Sequence, residues 1–319
     1  MNCLSFFDLD LTMAKLLTVF GATGQQGGAL IEHILATPAL FAEFTLRGVT
    51  RDASKSAAVA LRGKGVEIVE ADLNTPSTLD VAVAGSYAVF AVTNFWESAS
   101  SAVEISQGKA IADAAVAAGA NQIIWSSLRG VKEMTGGKIT TMKHFDSKAE
   151  VETYIRMLDI KTFFFMPGWF MQNHLTMMRP KLENDGTYVL TLPWRPSTRL
   201  PLIDIRDAGK FIAPALLDPE LYHGKRFACA TAFYTLTEMV DTWTKVTGKM
   251  IKLEQSGSAA EYAGLSEGQK KEVGTAGLLG DYGYYGPTGN DDLAWTLKQV
   301  NERLRTWEEF LRDNEPWFS

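Results

Sequence analysis

His144 and Lys148 are the two side chains of this sequence whose types and spacing are best suited to chemistry. They stand in the stretch KHFDSKAEVETYIR, residues 143–156, which has the period of a helix. Residues four apart share one face of a helix, so both side chains are expected to face the same space. The ammonium group of Lys148 can hold sugar hydroxyls, and an imidazole with an ordinary pKa of about 6.5 can donate a proton near neutral pH. The alternative is that His144 is a surface or packing histidine.

The glycine-rich loop TVFGATGQQGG is the strongest single indication of a ligand. Gly21, Gly24 and Gly27 directly follow a predicted strand and directly precede a predicted helix, which is the context of a dinucleotide-binding loop. Glycine allows a tight turn and a close approach to a pyrophosphate, and the helix N-terminus offers unpaired N–H groups. The alternative is a turn that merely requires glycine, but the βα units that follow favour a cofactor site.

Arg51 and Lys55 indicate which dinucleotide the loop serves. An NAD site usually has Asp or Glu at the end of the second strand, whereas the strand FTLRGVTR ends in Arg51. A guanidinium group suits a 2′-phosphate, and Lys55 adds a second charge one helical turn further on. Asp52 is expected to cap the following helix or to point away. We therefore predict NADP(H) rather than NAD(H), the alternative being that Arg51 is a solvated charge at a helix start.

Further cofactor contacts are predicted at the ends of three other strands, because ligands of open parallel sheets bind at the carboxyl ends of the strands. Asp72 and Leu73 close the third strand, where they are expected to frame an adenine. Thr93 and Asn94 close the fourth strand, where the chain passes under the cofactor, and residues 126–128 close the fifth.

These residues are positioned by β-rich runs that alternate with amphipathic segments in the first half of the chain. The alternation favours a parallel sheet of βαβ units, and the runs are nearly continuous in Val, Ile, Leu and Phe, as in strands buried on both faces. The predicted fold is α/β, a Rossmann doubly wound parallel sheet with a smaller α/β C-terminal lobe. Strands are predicted at 15–21, 44–51, 65–73, 87–93, 121–127 and 161–167, and helices at 25–36, 53–64, 75–85, 100–119 and 143–156.

The alternation of β-rich and amphipathic segments ends at about residue 168, after which prolines, aromatic residues and polar turns become more frequent. We expect a disordered leader over residues 1–14, an NADP-binding Rossmann domain over 15–168, and a smaller lobe over 169–319 that is interleaved with the sheet. One last amphipathic helix is predicted over residues 292–313.

Trp169, Phe170 and Asn173 follow the sixth strand, beside the expected nicotinamide end of the cofactor. Aromatic walls with a few polar groups are typical of small-molecule pockets, so these residues are candidates for lining a substrate or effector pocket. The alternative is that the aromatic residues form the core of the second lobe.

The composition excludes several other classes of function. The net charge of -6 gives no basic surface for direct binding of nucleic acid. Two cysteines provide no disulfide framework, and the four histidines lack metal-ligand spacing, so no metal is predicted.

Neither a membrane span nor a targeting segment is predicted. No apolar run reaches the roughly 18 residues that a membrane span needs. The first residues lack the basic region of a signal peptide and the arginines of a mitochondrial transit peptide, and Met13 is a candidate second start. The protein is expected in the cytoplasm or the nucleus.

Six stretches together resemble the NmrA-like family, especially its redox-sensor branch: GATGQQGG, VTRDASK, ADL, VTNFWE, HFDSKAEVETYIR and MPGWFMQN. The likeness runs from about residue 15 to the C-terminus. These proteins are atypical short-chain dehydrogenases; a working enzyme of that class has Tyr-x-x-x-Lys on this helix, whereas the sensor members share the histidine found at position 144. The resemblance implies that Thr23, Gln25, Gln26, Arg51 and Lys55 hold the phosphates, that Thr93, Lys148 and Pro167 lie along the ribose and nicotinamide, and that Asn173 lines the neighbouring pocket.

Two functions follow from this resemblance. The first is an NADP(H)-responsive redox sensor or transcriptional regulator, with a protein partner such as a transcription factor or an enzyme. The second is an NADPH-dependent oxidoreductase acting on a quinone, an enone or another small carbonyl compound, for which Lys148 and His144 are the catalytic candidates. Hydride transfer needs no tyrosine when the acceptor stabilises its own anion. A homodimer is left open, and no direct contact with nucleic acid or membrane is expected.

Overall fold

The computed structural model describes residues 14–176, 178–255 and 280–318, which form one large sheet, two small sheets and the surrounding helices. The strands in chain order are β1 (Lys15–Phe20), β2 (Phe44–Thr50), β3 (Glu67–Glu70), β4 (Ala88–Ala91), β5 (Gln122–Ser126), β6 (Lys161–Pro167), β7 (Trp169–Phe170), β8 (Lys181–Leu182), β9 (Tyr188–Leu192), β10 (Arg199–Ile203), β11 (Lys225–Cys229), β12 (Ala232–Thr235) and β13 (Ile251–Gln255).

The large sheet has the order β11-β6-β5-β4-β1-β2-β3, and every neighbouring pair is parallel. The six predicted strands are confirmed, each within a few residues of its expected bounds. Strand order reverses between β1 and β4, and ligands of such sheets bind at the carboxyl ends of the strands beside this reversal. The fold is therefore a Rossmann-like α/β fold, as predicted, and its binding edge is the one that carries the glycine loop.

Helices cover both faces of the large sheet and extend into the second half of the chain. The five helices predicted for the first half are confirmed as α1, α3, α4, α6 and α8. In chain order the helices are α1 (Gln25–Ala36), α2 (Pro38–Glu43), α3 (Ser56–Gly63), α4 (Leu79–Val83), α5 (Phe95–Ser98), α6 (Ser101–Ala117), α7 (Val131–Met134), α8 (Lys143–Ile155), α9 (Ala208–Leu217), α10 (Leu236–Thr247), α11 (Gly289–Leu297) and α12 (Trp307–Asp313).

Burial explains why these elements form a stiff platform. Leu30, Ile31 and Ile34 recur at helical spacing along α1 and pack into the core beneath the sheet. Every residue of β4 and β5 is buried, which agrees with strands covered by helices on both faces. The carboxyl ends of these central strands are therefore held in place by the core.

A second core, rich in aromatic residues, is built mainly from the second half of the chain. Its two small sheets have the orders β12-β10-β7 and β13-β9-β8. His174 is fully buried in this core, with ring centroids 5.5 Å from Trp243 and 5.1 Å from Trp307. Its Nδ1 lies 3.3 Å from the carbonyl oxygen of Met178, and burial lowers the pKa of His174 to about 4. The imidazole is therefore neutral at physiological pH.

The prediction of one helix over residues 292–313 is wrong, because two helices, α11 and α12, flank an irregular segment. Within that segment the carbonyl oxygen of Arg303 accepts a hydrogen bond from Lys210 Nζ at 2.6 Å instead of bonding along a helix. Thr306 then begins α12 with a capping box that Glu309 closes. Tertiary hydrogen bonds and a local cap therefore override the helical period.

The leader predicted over residues 1–14, with its candidate start at Met13, lies outside the described residues except for residue 14. Within the described ranges, no helix has both the length and the apolar character that crossing a bilayer requires.

Candidate functional site

The glycine loop joins β1 to α1 in a conformation that requires glycine. Gly21 has a φ of +66°, and the N–H of Gly24 donates to the Gly21 carbonyl oxygen at 2.9 Å. A Cβ on Gly27 would lie 2.5 Å from the same oxygen, which is closer than atoms pack. Gly24 caps α1 without a side-chain hydrogen bond, and the first turn carries no acidic residue. The N–H groups at the start of α1 therefore suit an anion such as a pyrophosphate.

Thr23, Gln25 and Gln26, the side chains predicted to hold phosphates, lie at this loop. Thr23 and Gln25 are exposed, whereas Gln26 is half-buried. The hydroxyl of Ser126, at the end of β5, donates to Gln26 Oε1 at 2.6 Å. This bond ties the start of α1 to the end of β5, two strands away from β1 in the sheet, so Gln26 braces the loop while Thr23 and Gln25 remain accessible.

Arg51 directly follows β2, and its side chain is 59% exposed. Its guanidinium group donates to the carboxylate of Glu97 on α5. Lys55 directly precedes α3 and is exposed. Asp52 does not cap α3; its carboxylate accepts hydrogen bonds from the hydroxyl and the N–H of Ser54, which lower the pKa of Asp52. Arg51 and Lys55 therefore both face solvent beyond the end of β2, and Arg51 is paired with Glu97.

Asp72 and Leu73 follow β3 at the positions predicted to frame an adenine. The Asp72 carboxylate accepts hydrogen bonds from the backbone N–H and the side-chain amide of Asn74. Leu73 packs against the core on that face of the sheet. The Asp72 carboxylate thus stabilises the turn that follows β3. Its contact with an adenine stays a prediction, as does that of Leu73.

Lys148 extends inward from α8, and its ammonium group is buried. Its Nζ donates to Glu104 Oε1 at 2.6 Å, to Thr93 Oγ1 at 3.0 Å and to the Thr93 carbonyl oxygen at 3.1 Å. These three contacts match the three donors of an ammonium group. The side chains of Lys148 and Glu104 are 11% and 1% exposed, so the pair is shielded from water. The lysine predicted to lie along the ribose therefore bonds within the protein.

Glu104 is the centre of a small buried network that joins β4, α6 and α8. The hydroxyl of Thr93 donates to Glu104 Oε1 at 2.7 Å, and the hydroxyl of Ser147 donates to the other carboxylate oxygen. The pKa of Lys148 is lowered, because the effect of burial exceeds that of the neighbouring Glu104 carboxylate, which acts to raise it. Asn94, the other residue predicted at this strand end, is exposed and directly precedes α5.

His144 lies one turn before Lys148 and packs against aromatic rings. Its ring centroid is 5.0 Å from that of Trp96, 5.8 Å from that of Phe95 and 4.7 Å from that of Phe145. The imidazole is half-buried between α5 and α8. His144 therefore has the contacts of a packing histidine, which was the alternative to its role as a proton donor.

Pro167 ends β6 beside two tyrosines that the sequence analysis did not single out. The hydroxyl of Tyr284 donates to the Pro167 carbonyl oxygen at a long 3.5 Å, and that of Tyr285 donates to the Met166 carbonyl oxygen at 3.3 Å. The Tyr284 ring packs edge-on against Phe145, with centroids 5.4 Å apart. Burial raises the pKa of both tyrosines. Tyr284 is therefore a titratable side chain close to the predicted nicotinamide position.

The three residues predicted to line a pocket lie close together in the chain, but their side chains pack differently. Trp169 packs into the second core, edge-on to Trp194 at 5.0 Å, while Phe170 packs against the core beneath the large sheet. Successive residues of a strand point to opposite faces, which explains the difference. The indole N–H of Trp169 is buried and has no hydrogen-bond partner among the described residues. Asn173 is half-buried in the turn after β7.

Sequence reasoning missed Glu97, Glu104 and Tyr284. Glu97 is part of VTNFWE, but nothing in that motif indicates that it reaches Arg51. Glu104 stands between apolar residues in SAVEISQGKAIADAAVA, and this placement of a single acid was the available signal of burial.

Known proteins resemble this chain in both sequence and fold. NmrA-like family domain-containing oxidoreductase cpsB of Aspergillus campestris is 31% identical over 260 residues, which cover 74% of this chain and 74% of that protein. NmrA, a negative transcriptional regulator, in complex with NADP has a TM-score of 0.80 at 21% identity, covering 95% of this chain and 96% of its own; it has also been crystallised with NAD. Triphenylmethane reductase of Citrobacter sp., complexed with NADP(H), has a TM-score of 0.72 at 20% identity, covering 94% of this chain and 99% of its own.

The two structures support the fold assignment, and the sequence supports the family. A model of the NmrA-like family matches residues 13–311, which include the glycine loop, the ion pair of Lys148 and most of the second half of the chain. The chain therefore belongs to the NmrA-like family.

Proposed function

We propose that this protein binds NADP(H) at the glycine loop, with the 2′-phosphate at Arg51 and Lys55. The open N-terminus of α1 supports binding of the pyrophosphate, because its N–H groups carry no side-chain cap. A guanidinium group can bind a phosphate through two parallel hydrogen bonds, and Lys55 adds a point charge. The NADP complexes of NmrA and of triphenylmethane reductase support the same cofactor for this relative.

The proposed role of the bound cofactor is regulatory: the protein is a dinucleotide-responsive redox sensor or regulator that acts through a protein partner. One observation carries this proposal, namely that all three hydrogen bonds of the Lys148 ammonium group go to Glu104 and Thr93. Position 144 holds a histidine packed among aromatic rings in place of a tyrosine. A site with an intact cofactor loop, no tyrosine at this position and an engaged lysine is suited to binding without turnover.

The purified protein is expected to bind NADPH without oxidising it at a steady rate. The physical reason is that a carbonyl acceptor finds neither the usual tyrosine nor a free lysine, because Lys148 is paired. Quinones and enones, which stabilise their own anion, are the most stringent acceptors in the test. The measurement combines calorimetric titration with NADPH and the decay of NADPH absorbance in the presence of quinones, enones and small carbonyl compounds.

The control for this experiment is the same mixture without protein, because quinones oxidise NADPH slowly by themselves. A steady oxidation rate that rises in proportion to the protein concentration with any acceptor would contradict the regulatory role. Absence of NADPH binding would contradict the cofactor assignment itself.

An NADPH-dependent oxidoreductase is the second candidate, and Tyr284 is the observation that favours it. Its hydroxyl lies by Pro167, and its ring packs on Phe145, next to His144. A tyrosine from the second half of the chain is thus placed where it could replace the acid missing from α8. Relatives such as cpsB are named oxidoreductases, which supports a redox reaction as such. The acceptor proposed for it is a quinone, an enone or another small carbonyl compound.

If an acceptor is found, Tyr284→Phe is expected to lower the turnover rate by about a hundredfold, because general acid catalysis contributes on the order of 10²–10⁴. NADPH affinity should not change, since the ring and its packing are kept. Tyr282→Phe is the matched control, and His144→Ala tests the other candidate acid. Full activity in Tyr284→Phe with a hundredfold loss in His144→Ala would identify the histidine as the acid instead.

A further inference from the structure

The ion pair between Arg51 and Glu97 connects two strand ends that a dinucleotide would lie across. Arg51 directly follows β2, whereas Glu97 belongs to α5, which follows β4. The two side chains are 59% and 43% exposed, so both are within reach of a ligand in solution. The guanidinium group proposed to bind the 2′-phosphate is therefore bound by a carboxylate of the same chain.

Other charges near Arg51 have different partners. Asp52 is held by Ser54, and the Glu70 carboxylate accepts a hydrogen bond from the N–H of Ala53 at 2.7 Å. Lys55 faces solvent at the start of α3. Glu97 is thus the acid that pairs with Arg51, while the neighbouring acids stabilise the turn between β2 and α3.

The short helix α5 holds Glu97 in place from both sides. Thr93 is fixed by the buried ion pair of Lys148, and Phe95 is only 4% exposed. The helix ends at Ala99, which has a φ of +50°, a left-handed conformation that residues other than glycine rarely adopt. Contacts within α5 and at its ends therefore fix the backbone position from which the Glu97 side chain reaches Arg51.

We infer that Glu97 is an internal competitor of the cofactor's 2′-phosphate for Arg51, and that it limits the preference of this protein for NADP(H) over NAD(H). The inference rests on the proposed binding of NADP(H). The guanidinium group has five N–H donors, and Glu97 takes one on Nη1. A phosphate that binds in the bidentate manner through Nη1 must displace the carboxylate, which then remains as a negative charge beside the phosphate. NAD(H) has a hydroxyl at this position, so its binding leaves the ion pair intact.

The decisive variant is Glu97→Gln, which keeps the shape of the side chain and removes its charge. NADP(H) is expected to bind about three- to tenfold more tightly, a modest factor because exposed ion pairs are weak and screened by salt. Affinity for NAD(H) should change by no more than a factor of about two, because substitutions of exposed residues usually have small effects. Calorimetric titration of the full chain with NADP⁺, NADPH, NAD⁺ and NADH measures all four constants.

Glu67→Gln is the matched control. Glu67 pairs with Arg47 across β2 and β3, so this variant removes one carboxylate from an arginine of the same strand pair without touching Arg51. The control should leave all four affinities unchanged. An equal gain in both variants would show that only the total charge matters and would overturn the inference.

Arg51→Ala then separates competition for the guanidinium from simple repulsion. In the Arg51→Ala background, Glu97→Gln should lose most of its effect on NADP(H), because there is no guanidinium left to compete for. An undiminished effect in that background would overturn the inference, as would weaker NADP(H) binding in Glu97→Gln alone, since the carboxylate would then be orienting Arg51 for the phosphate. If the unaltered protein binds neither dinucleotide, the proposed function fails first, and this outcome is distinct from the others.

Discussion

Lys148→Ala is expected to lower the free energy of unfolding by about 3–5 kcal/mol, because it leaves the buried Glu104 carboxylate without its counter-ion. Glu104 is 1% exposed and receives hydrogen bonds from Lys148, Thr93 and Ser147, so water cannot replace the ammonium group. The loss should be measured by urea denaturation at neutral pH, with the slope checked for two-state behaviour. A decrease in the unfolding free energy of less than about 1 kcal/mol is typical of an exposed ion pair, and it would contradict the conclusion that Lys148 and Glu104 depend on each other as a buried pair.

The same two helices provide a matched control. Lys109 on α6 and Glu150 on α8 form an exposed pair with atoms 3.9 Å apart. Lys109→Ala should change the stability by no more than about 0.5 kcal/mol, because exposed pairs contribute little. The double variant Lys148→Met with Glu104→Gln should recover about half of the loss, since no unpaired charge then stays buried.

This expectation changes how a loss of cofactor binding in Lys148→Ala would be understood. A variant that is partly unfolded binds less ligand even if the lysine never touches the ribose. Affinity must therefore be measured per folded molecule, at a temperature well below the unfolding transition. A several-fold weakening that persists under these conditions would support the ribose contact predicted from the sequence.

Acidification from pH 7 to pH 5 is expected to destabilise the protein by about 2 kcal/mol through His174 alone. The pKa of this histidine is about 4 in the folded protein, against an ordinary value of 6.5. The unfolded chain therefore binds the proton more readily, and the stabilisation is complete above about pH 6.5 and is lost as the pH falls towards 4. The total loss from this residue approaches about 3 kcal/mol.

The geometry of the aromatic core explains why protonation is unfavourable. The imidazole lies between Trp243 and Trp307, and its Nε2 has no hydrogen-bond partner among the described residues. A second N–H on the ring would therefore be buried without an acceptor, at a cost added to that of the charge itself. His174→Phe keeps an aromatic ring in this position and cannot titrate.

Stability curves of the parent and of His174→Phe should be compared between pH 7 and pH 4.5 by chemical denaturation. Acidic groups elsewhere titrate in both proteins, so their contributions cancel in the difference. The difference in unfolding free energy should change by about 2 kcal/mol in favour of the variant by pH 5. Parallel curves would show that the imidazole is accessible to protons in the folded state.

The parts of the fold that could be predicted from the sequence are those determined by neighbouring residues. Apolar runs such as KTFFFMP indicate buried strands by themselves, and the glycine spacing specifies the loop between β1 and α1. The break between α11 and α12 could not be predicted in this way. It depends on Lys210 reaching the carbonyl oxygen of Arg303, a contact between residues far apart in the sequence.

In the candidate site too, the features that neighbouring residues determine could be predicted, whereas contacts between residues far apart in the sequence could not. Lys148 and Arg51 could be chosen from their positions at the helix and strand ends, but their partners lie 44 and 46 residues away. No local pattern links Glu104 to Lys148 or Glu97 to Arg51. These partners change the expected chemistry. The Lys148 ammonium group must give up one of its three contacts before it can bind a ligand, and Arg51 must release Glu97 before it can bind a phosphate through Nη1.

The strand β11 pairs with β6 but is synthesised well after it, and this order has a consequence for biosynthesis. The strand β6 carries Phe163, Phe164 and Phe165, all fully buried, and its outer edge is covered only when β11 pairs with it. Because ribosomes add about 5–20 residues per second, the roughly 60 residues between these strands take about 3–12 s to emerge. During that time a nascent chain presents an open edge rich in phenylalanine, which is a template for pairing with other chains. Newly made protein should therefore depend on chaperones that bind the chain as it leaves the ribosome.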